Sequence, residues 1–103
     1  MAKLKTAVLI SGRGSNMQAL IDYCAAPNAT AEIALVLSNI SDAAGLDRAA
    51  EANIPSITIN HKQYADRGSF EAAVTQTLAD HDIQLVCLAG FMRLLTNTFV
   101  DHW

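Results

Sequence analysis

The fold is decided by residues 8–20, which read VLISGRGSNMQAL. They join a short aliphatic run, which predicts a strand over Leu4–Ile10, to a segment that predicts a helix over about Ser15–Cys24. The helix is predicted because apolar residues recur at i, i+3, i+4 and i+7 and so share one face. These residues are Met17, Leu20, Ile21 and Cys24. The opening unit is therefore strand, glycine turn and helix.

The same alternation of short apolar runs and longer helical stretches continues along the chain. It predicts one domain over residues 1–103 of the α/β class, a Rossmann-like parallel sheet of about four strands flanked by helices. Glu32–Leu37 lacks the alternation of a half-exposed strand, so we expect it inside the sheet. Two further strands are predicted over Ser56–Ile59 and Gln84–Ala89.

Three more helices are predicted from caps and apolar spacing. The first begins at Ser41 or Asp42, has a narrow apolar stripe and ends by Ile54 and Pro55; the stripe consists of Leu46, Ala49 and Ala50. The second covers about Asp66–Asp80, with Phe70, Val74, Thr77 and Leu78 on one side. The third follows Thr96 as its cap and carries Phe99, Val100 and Trp103.

Composition and charge exclude several classes of protein. The 103 residues are 51% hydrophobic and 17% charged, as in globular proteins and unlike disordered segments. A net charge of -3 without a Lys/Arg cluster argues against a nucleic-acid surface, and no run is long enough to span a membrane. Cys24 and Cys87 lack metal or redox spacing, so we expect two reduced thiols in a cytoplasmic protein. No metal is expected, because His61, His81 and His102 are isolated.

The turn between the first strand and helix is a candidate phosphate site. Gly14, Ser15 and Asn16 would bring backbone N–H groups to the positive end of the helix dipole, where anions bind. A plain turn with Ser15 or Asn16 as N-cap explains the same residues, and spacing alone does not separate the two interpretations. Met17 replaces the third glycine of G-x-G-x-x-G, no Gly-Lys-Ser/Thr follows, and the second strand ends without a ribose-binding acid. A monophosphate therefore fits better than a dinucleotide or a nucleoside triphosphate.

A second informative stretch, residues 88–95, reads LAGFMRLL and follows the last predicted strand. Ligands bind at the carboxyl edge of open α/β sheets, which makes this stretch a candidate pocket wall. Periodicity alone favours a core role for its apolar residues, with Arg93 as a solvated charge. Carboxylates such as Asp22, Glu51 and Asp80 fall on predicted exposed faces, so no general acid or base is predicted.

Three segments in order resemble the glycinamide ribonucleotide formyltransferases: residues 8–20, residues 38–46 and residues 88–93. The resemblance spans the whole chain and is most specific in the last segment. It implies formyl transfer from 10-formyltetrahydrofolate to the amine of glycinamide ribonucleotide, a step of purine synthesis. Two alternatives remain, a formyltetrahydrofolate deformylase, which uses water as acceptor, and a non-catalytic nucleotide-binding module. The intact Gly-Arg-Gly-Ser-Asn loop favours the ribonucleotide.

The resemblance also implies roles for residues. Substrate phosphate is expected at Gly14, Ser15 and Asn16, beside an Arg13 that stands where relatives commonly have Asn and whose role is open. The folate is expected beside Arg67, which could instead pair with a surface carboxylate, and beside a segment that follows the last strand. That segment consists of Met92, Arg93, Leu94 and Leu95.

The family's catalytic Asn, His and Asp are expected beyond Trp103, beginning with an Asn-x-His-Pro-Ser-Leu-Leu-Pro motif that residues 1–103 do not contain. We therefore expect a truncated domain with negligible turnover of its own, since proton transfer and oxyanion stabilisation each contribute orders of magnitude. The fourth strand is expected to form an apolar sheet edge, through which the chain would self-associate or be only marginally stable.

Overall fold

A four-stranded parallel sheet flanked by helices forms the part of the chain that the computed structural model describes, residues 3–91. The strands are β1 Leu4–Ile10, β2 Ala31–Ser38, β3 Ser56–Thr58 and β4 Leu85–Leu88, in the order β3-β2-β1-β4. The helices are α1 Ser15–Cys24, α2 Gly45–Glu51 and α3 Arg67–Asp80, with a 3-10 turn over His61–Gln63. The predicted α/β fold class is confirmed, whereas the helix predicted after Thr96 lies outside the described residues.

The two middle strands are apolar on both faces. In β1, residues 6–10 are buried, and in β2, residues 35–38 are buried. Both strands pair in parallel with a neighbour on each side, β1 with β2 and β4, and β2 with β1 and β3. Continuous apolar runs are typical of parallel strands that are covered on both faces. The interior position predicted for the second strand is confirmed.

A hydrophobic core lies on each face of the sheet, because successive side chains of a strand point to opposite faces. Ala7 and Leu9 of β1 contact the α3 side, while Val8 and Ile10 contact the side of α1 and α2. The α3 side is filled by Phe70, Val74 and Leu78, together with Leu35, Leu37, Ile59 and Ile83. The other side is filled by Met17, Ala49, Val36 and Ala89. Each helix thus packs against the sheet through part of its predicted stripe: Met17 of α1, Ala49 of α2, and Phe70, Val74 and Leu78 of α3 are buried.

The predicted start of α2 is wrong. Ser41 and Asp42 are exposed and cap nothing; the helix begins at Gly45, after Ala44, without a side-chain cap. The reason is tertiary: the N–H of Gly45 donates 2.9 Å to the carbonyl of Gly12 in the turn after β1. Ala50, predicted in the apolar stripe, is exposed. The helix is therefore placed by a contact distant in sequence and not by a local cap.

The helix α3 begins with a side-chain cap. Asp66 precedes it in extended conformation, and its carboxylate accepts a hydrogen bond of 2.7 Å from the N–H of Ser69. That hydrogen bond lowers the pKa of the Asp66 carboxyl below its ordinary value. Thr77, predicted on the buried side, is half-buried and donates 2.9 Å to the carbonyl of Ala73. The remaining three residues of the predicted face are buried.

The strand β4 forms one edge of the described sheet. Leu85 is 42% exposed and Leu88 is 55% exposed, so this edge carries apolar side chains in contact with solvent. Exposed apolar edges promote pairing with another chain. Self-association through this edge stays a prediction. Between residues 3 and 91, no helix is both long and apolar enough to cross a membrane.

We expect Asp66→Ala to lower the urea midpoint of unfolding at neutral pH, because the N–H of Ser69 loses its acceptor. The folded-state pKa is lowered, so this stabilisation is present above about pH 4 and is lost as the pH falls through the lowered pKa. Asp66→Asn is the matched control, since its amide oxygen still accepts but does not titrate. Urea unfolding of the wild type and the two variants between pH 3 and pH 7 measures the midpoints. A midpoint difference between wild type and Asp66→Ala that stays constant with pH would contradict the proposed role of the Asp66 carboxylate.

Candidate phosphate-binding site

The candidate site lies where the strand order of the sheet reverses. From β1 the chain crosses to β2 on one side, whereas β4 pairs with β1 on the other side. In open α/β sheets, the crevice at the carboxyl ends of two such strands is the usual ligand site. A pocket of about 200 Å³ occupies this position. It is lined by Gly12, Arg13, Gly14, Ser15, Asn16, Ala89 and Gly90.

The first turn of α1 supplies backbone donors to this pocket. Gly14 is the N-cap, with φ 76° and ψ 24° in the left-handed region, and no side chain caps the helix. The first intrahelical bond joins the N–H of Gln18 to the carbonyl of Gly14 at 2.8 Å. The N–H groups of Ser15, Asn16 and Met17 precede that bond and so have no intrahelical acceptor. The interpretation of Ser15 or Asn16 as N-cap is wrong, and the helix end has the form of an anion site.

The helix α2 supports the turn from behind. The carbonyl of Gly12 accepts from the N–H of Gly45 at 2.9 Å, and the carbonyl of Arg13 accepts from Nε of Arg48 at 2.8 Å. A Cβ added to Gly14 would lie 2.9 Å from Cα of Gly45, and one added to Gly45 would lie 2.6 Å from Cδ1 of Ile10. The backbone of the turn at Gly14 and the backbone of α2 at Gly45 are therefore too close for a side chain to fit between them.

Sequence reasoning missed the roles of Gly45 and Arg48. Gly45 belongs to one of the segments that carry the family resemblance, but no spacing rule connects it to a turn more than thirty positions earlier. No local signal pointed to Gly45, because Ser41 and Asp42 offered caps for an earlier helix start. For Arg48, the sequence indicated only a basic residue on a predicted helix and gave no sign of its contact with the turn.

A buried polar network fixes the ends of β1 and β2 to each other. Ser11 Oγ donates to Oδ1 of Asn39 at 2.5 Å, and Nδ2 of Asn39 lies 3.1 Å from Nδ1 of His61. Both Ser11 and Asn39 are buried. The polar end of the second strand therefore serves structure at the position where dinucleotide-binding sheets carry an acid. His61 is a member of this network and is not isolated.

The far wall of the pocket follows β4. Ala89 donates its N–H to the carbonyl of Leu9 at 3.0 Å, and Gly90 then turns the chain with φ 75°. Phe91 packs against the core on the α3 side. Met92, Arg93, Leu94 and Leu95, predicted to border a folate, lie outside the described residues. Arg67 is exposed at the first position of α3, and its predicted role stays a prediction.

Within the described residues, neither a disulfide nor a metal-binding cluster accompanies the pocket. Cys24 and Cys87 are both unbonded thiols, and burial raises the pKa of the Cys87 thiol. In residues 3–91, no group of three or more His, Cys, Asp or Glu side chains is placed to hold a metal ion. The pocket lining within those residues contains neither a carboxylate nor an imidazole. Its polar groups are backbone amides, a hydroxyl, a carboxamide and the Arg13 guanidinium.

Comparison with known proteins relates the chain to formyl transferases. The family model described as formyl transferase matches residues 4–103. The human trifunctional purine biosynthetic protein adenosine-3 is 52% identical over 101 residues, which are 98% of this chain and 10% of that protein. The phosphoribosylglycinamide formyltransferase of Haemophilus influenzae is 39% identical over 99 residues, which are 96% of this chain and 47% of that enzyme.

Solved structures agree with these relatives. The phosphoribosylglycinamide formyltransferase of Coxiella burnetii superposes with a TM-score of 0.92 at 42% identity and covers 99% of this chain. That of Brucella melitensis superposes with a TM-score of 0.93 at 37% identity and covers 96%. This chain covers 48% and 52% of those two proteins. It thus spans about half the length of the bacterial relatives and about a tenth of the trifunctional one.

We expect Gly14→Ala to destabilise the chain by about 1–3 kcal/mol, because an alanine is strained in the left-handed region. Its Cβ would also lie 2.9 Å from Cα of Gly45. Gly12→Ala is the matched control, since it lies in the same turn and nothing lies within 4 Å of the added Cβ. Urea unfolding measures all three chains. Equal midpoints for wild type and Gly14→Ala would show that the turn and α2 do not pack as described.

Proposed function

Because the chain belongs to the formyl transferase family, we propose that it is the nucleotide-binding part of a phosphoribosylglycinamide formyltransferase. The reaction is formyl transfer from 10-formyltetrahydrofolate to the amine of glycinamide ribonucleotide, in purine synthesis. One observation carries the proposal: the uncapped first turn of α1 opens into a pocket at the point where the strand order reverses. The relatives named phosphoribosylglycinamide formyltransferase support the choice of substrate.

The phosphate of the ribonucleotide binds at Gly14, Ser15 and Asn16. The N–H groups of the first turn donate to its oxygens, and the positive end of the helix dipole offsets its charge. Arg13 lines the same pocket and contributes the nearest full positive charge among the lining residues. A chain with a net charge of -3 thus attracts an anion locally, through its backbone and one guanidinium.

The folate binds on the side of the pocket that follows β4. Gly90, which lines the pocket, precedes Met92, Arg93, Leu94 and Leu95 by a few positions in the sequence. The family resemblance is the support for a folate contact at these four residues. Arg67 provides an exposed cation at the start of α3, which suits a carboxylate of the folate. This arrangement brings the formyl carbon and the amine together and converts transfer into a step between bound partners.

Formyl transfer needs groups that the pocket lining within residues 3–91 does not supply. The amine attacks the formyl carbon and loses a proton, and a tetrahedral oxyanion forms. The bond from the formyl carbon to the folate nitrogen then breaks as that nitrogen takes up a proton. Proton transfer needs a titratable group near neutrality, and the oxyanion needs oriented donors. We place these groups in the half of the bacterial relatives that this chain does not match. Residues 1–103 then bind and orient both reactants, and formyl transfer by this chain alone is negligible.

We expect glycinamide ribonucleotide to bind the 103-residue chain, with ribose 5-phosphate as a competitor, because the phosphate supplies the shared contacts. Isothermal titration measures both. Ribose is the matched control, since it lacks the phosphate and should not compete. A folded chain that binds neither phosphorylated compound would contradict the proposal. A chain that binds a folate but no ribonucleotide would favour a deformylase, which does not use that substrate.

We expect Arg67→Ala to weaken the binding of folate about tenfold and to leave ribose 5-phosphate binding unchanged, because a charge-assisted hydrogen bond to a carboxylate is lost. Lys62→Ala is the control, since it removes another exposed cation a few residues earlier. Fluorescence titration with folate measures the three chains. Equal loss in both variants would mean that Arg67 acts only through general charge.

A further inference from the structure

We propose that Arg48 is a positioning residue for the phosphate turn: together with Gly45 it holds two successive carbonyls of the turn away from the bound anion. The inference rests on the proposed function, because it concerns how the same site takes a phosphate. It assigns to α2 a part in binding that neither the sequence pattern nor the family name indicates. Arg48 acts through the backbone of Arg13 and not by contact with the ligand.

The two carbonyls concerned are those of Gly12 and Arg13, which precede the N-cap. The first accepts from the N–H of Gly45 at 2.9 Å and the second from Nε of Arg48 at 2.8 Å, so both are committed to α2. A carbonyl oxygen carries a partial negative charge and would repel a phosphate. Anion-binding turns work when successive N–H groups converge on the ligand while their carbonyls point elsewhere. Here Gly45 and Arg48 of α2 hold the carbonyls of Gly12 and Arg13 on the side of the turn that faces α2.

Both donors lie on one face of α2. Gly45 and Arg48 are three positions apart, a spacing that places residues on the same side of a helix. The side chain of Arg48 runs along the turn, since its Cδ lies 3.5 Å from where a Cβ of Gly14 would be. Gly14 must lack a side chain for α2 to approach this closely, because an added Cβ would lie 2.9 Å from Cα of Gly45. The conformation that exposes the N–H groups of α1 is therefore maintained from the opposite side of the turn.

Geometry distinguishes Arg48 from a simple positive charge. Its Nε–H is a donor fixed in the plane of the guanidinium, whereas lysine offers a rotating ammonium at the end of a flexible stem. Lysine at this position keeps the charge near the pocket but not the donor directed at the Arg13 carbonyl. A positioning role therefore predicts that Arg48→Lys fails to replace the wild type. An electrostatic role predicts that it succeeds.

The test measures the affinity for ribose 5-phosphate by isothermal titration in wild type, Arg48→Lys and Arg48→Ala, at one ionic strength. We expect both variants to bind at least about tenfold more weakly, since one charge-assisted hydrogen bond that orders the turn is lost. Addition of millimolar ethylguanidinium should restore much of the affinity of Arg48→Ala, and ethylammonium at the same concentration should not. Circular dichroism and urea midpoints show that the variants are folded; if Arg48→Ala is not, Arg48→Lys carries the test.

Two results overturn the inference in different ways. Binding by Arg48→Lys as tight as in wild type, or equal rescue by ethylammonium, shows that charge alone matters and overturns the positioning role while the proposed function stands. Absence of ribose 5-phosphate binding in the wild type overturns the proposed function and this inference with it. The two failures are distinguished by the wild-type titration alone.

Discussion

The backbone contact between Gly14 and Gly45 is the constraint on which the site depends. It exists because neither residue has a Cβ: one on Gly14 would lie 2.9 Å from Cα of Gly45, and one on Gly45 would lie 3.2 Å from Cα of Gly14 and 2.6 Å from Cδ1 of Ile10. The missing Cβ also lets Gly14 adopt the left-handed conformation in which it is the N-cap of α1. The close contact brings the first turn of α2 near enough to bond the carbonyls of the turn. The helix end stays uncapped by side chains, so its amides are free to serve a ligand.

The sheet places this contact at its carboxyl edge, next to the point where the strand order reverses. Because β1 and β2 are buried on both faces, the carboxyl end of β1 is held rigidly between two hydrophobic cores. The bond from Ser11 to Asn39 fixes the end of β1 to the end of β2, and the bond from Ala89 to Leu9 fixes it to the segment after β4. The three loops that leave this edge therefore have defined relative positions. The candidate pocket lies at the carboxyl ends of β1 and β4, where the strand order reverses.

The chemistry of the pocket matches binding more than catalysis. Its described lining offers amides, one hydroxyl, one carboxamide and one guanidinium, which suit an anion, and it contains neither a carboxylate nor an imidazole. The proposed reaction rests on the family relationship, and the backbone geometry gives a reason to propose that the phosphate binds in this half. The proposed partition assigns recognition to the first hundred residues and proton transfer to the part of the relatives that lies beyond the match.

Local patterns in the sequence determined the elements, and tertiary contacts decided how they form a site. The bounds of β1 and α1 are those predicted, and the aliphatic run of β2 predicts its interior place, because these features depend on neighbouring residues. The N-cap of α1, the start of α2 and the bond from Arg48 to Arg13 could not be predicted. Each depends on residues about thirty positions apart that meet only when the parallel crossover closes. A close contact between two glycines and the direction of a hydrogen bond do not produce a repeating pattern of residue types in a sequence. The direction of the N–H groups in the turn before α1 is therefore decided only when the sheet has folded.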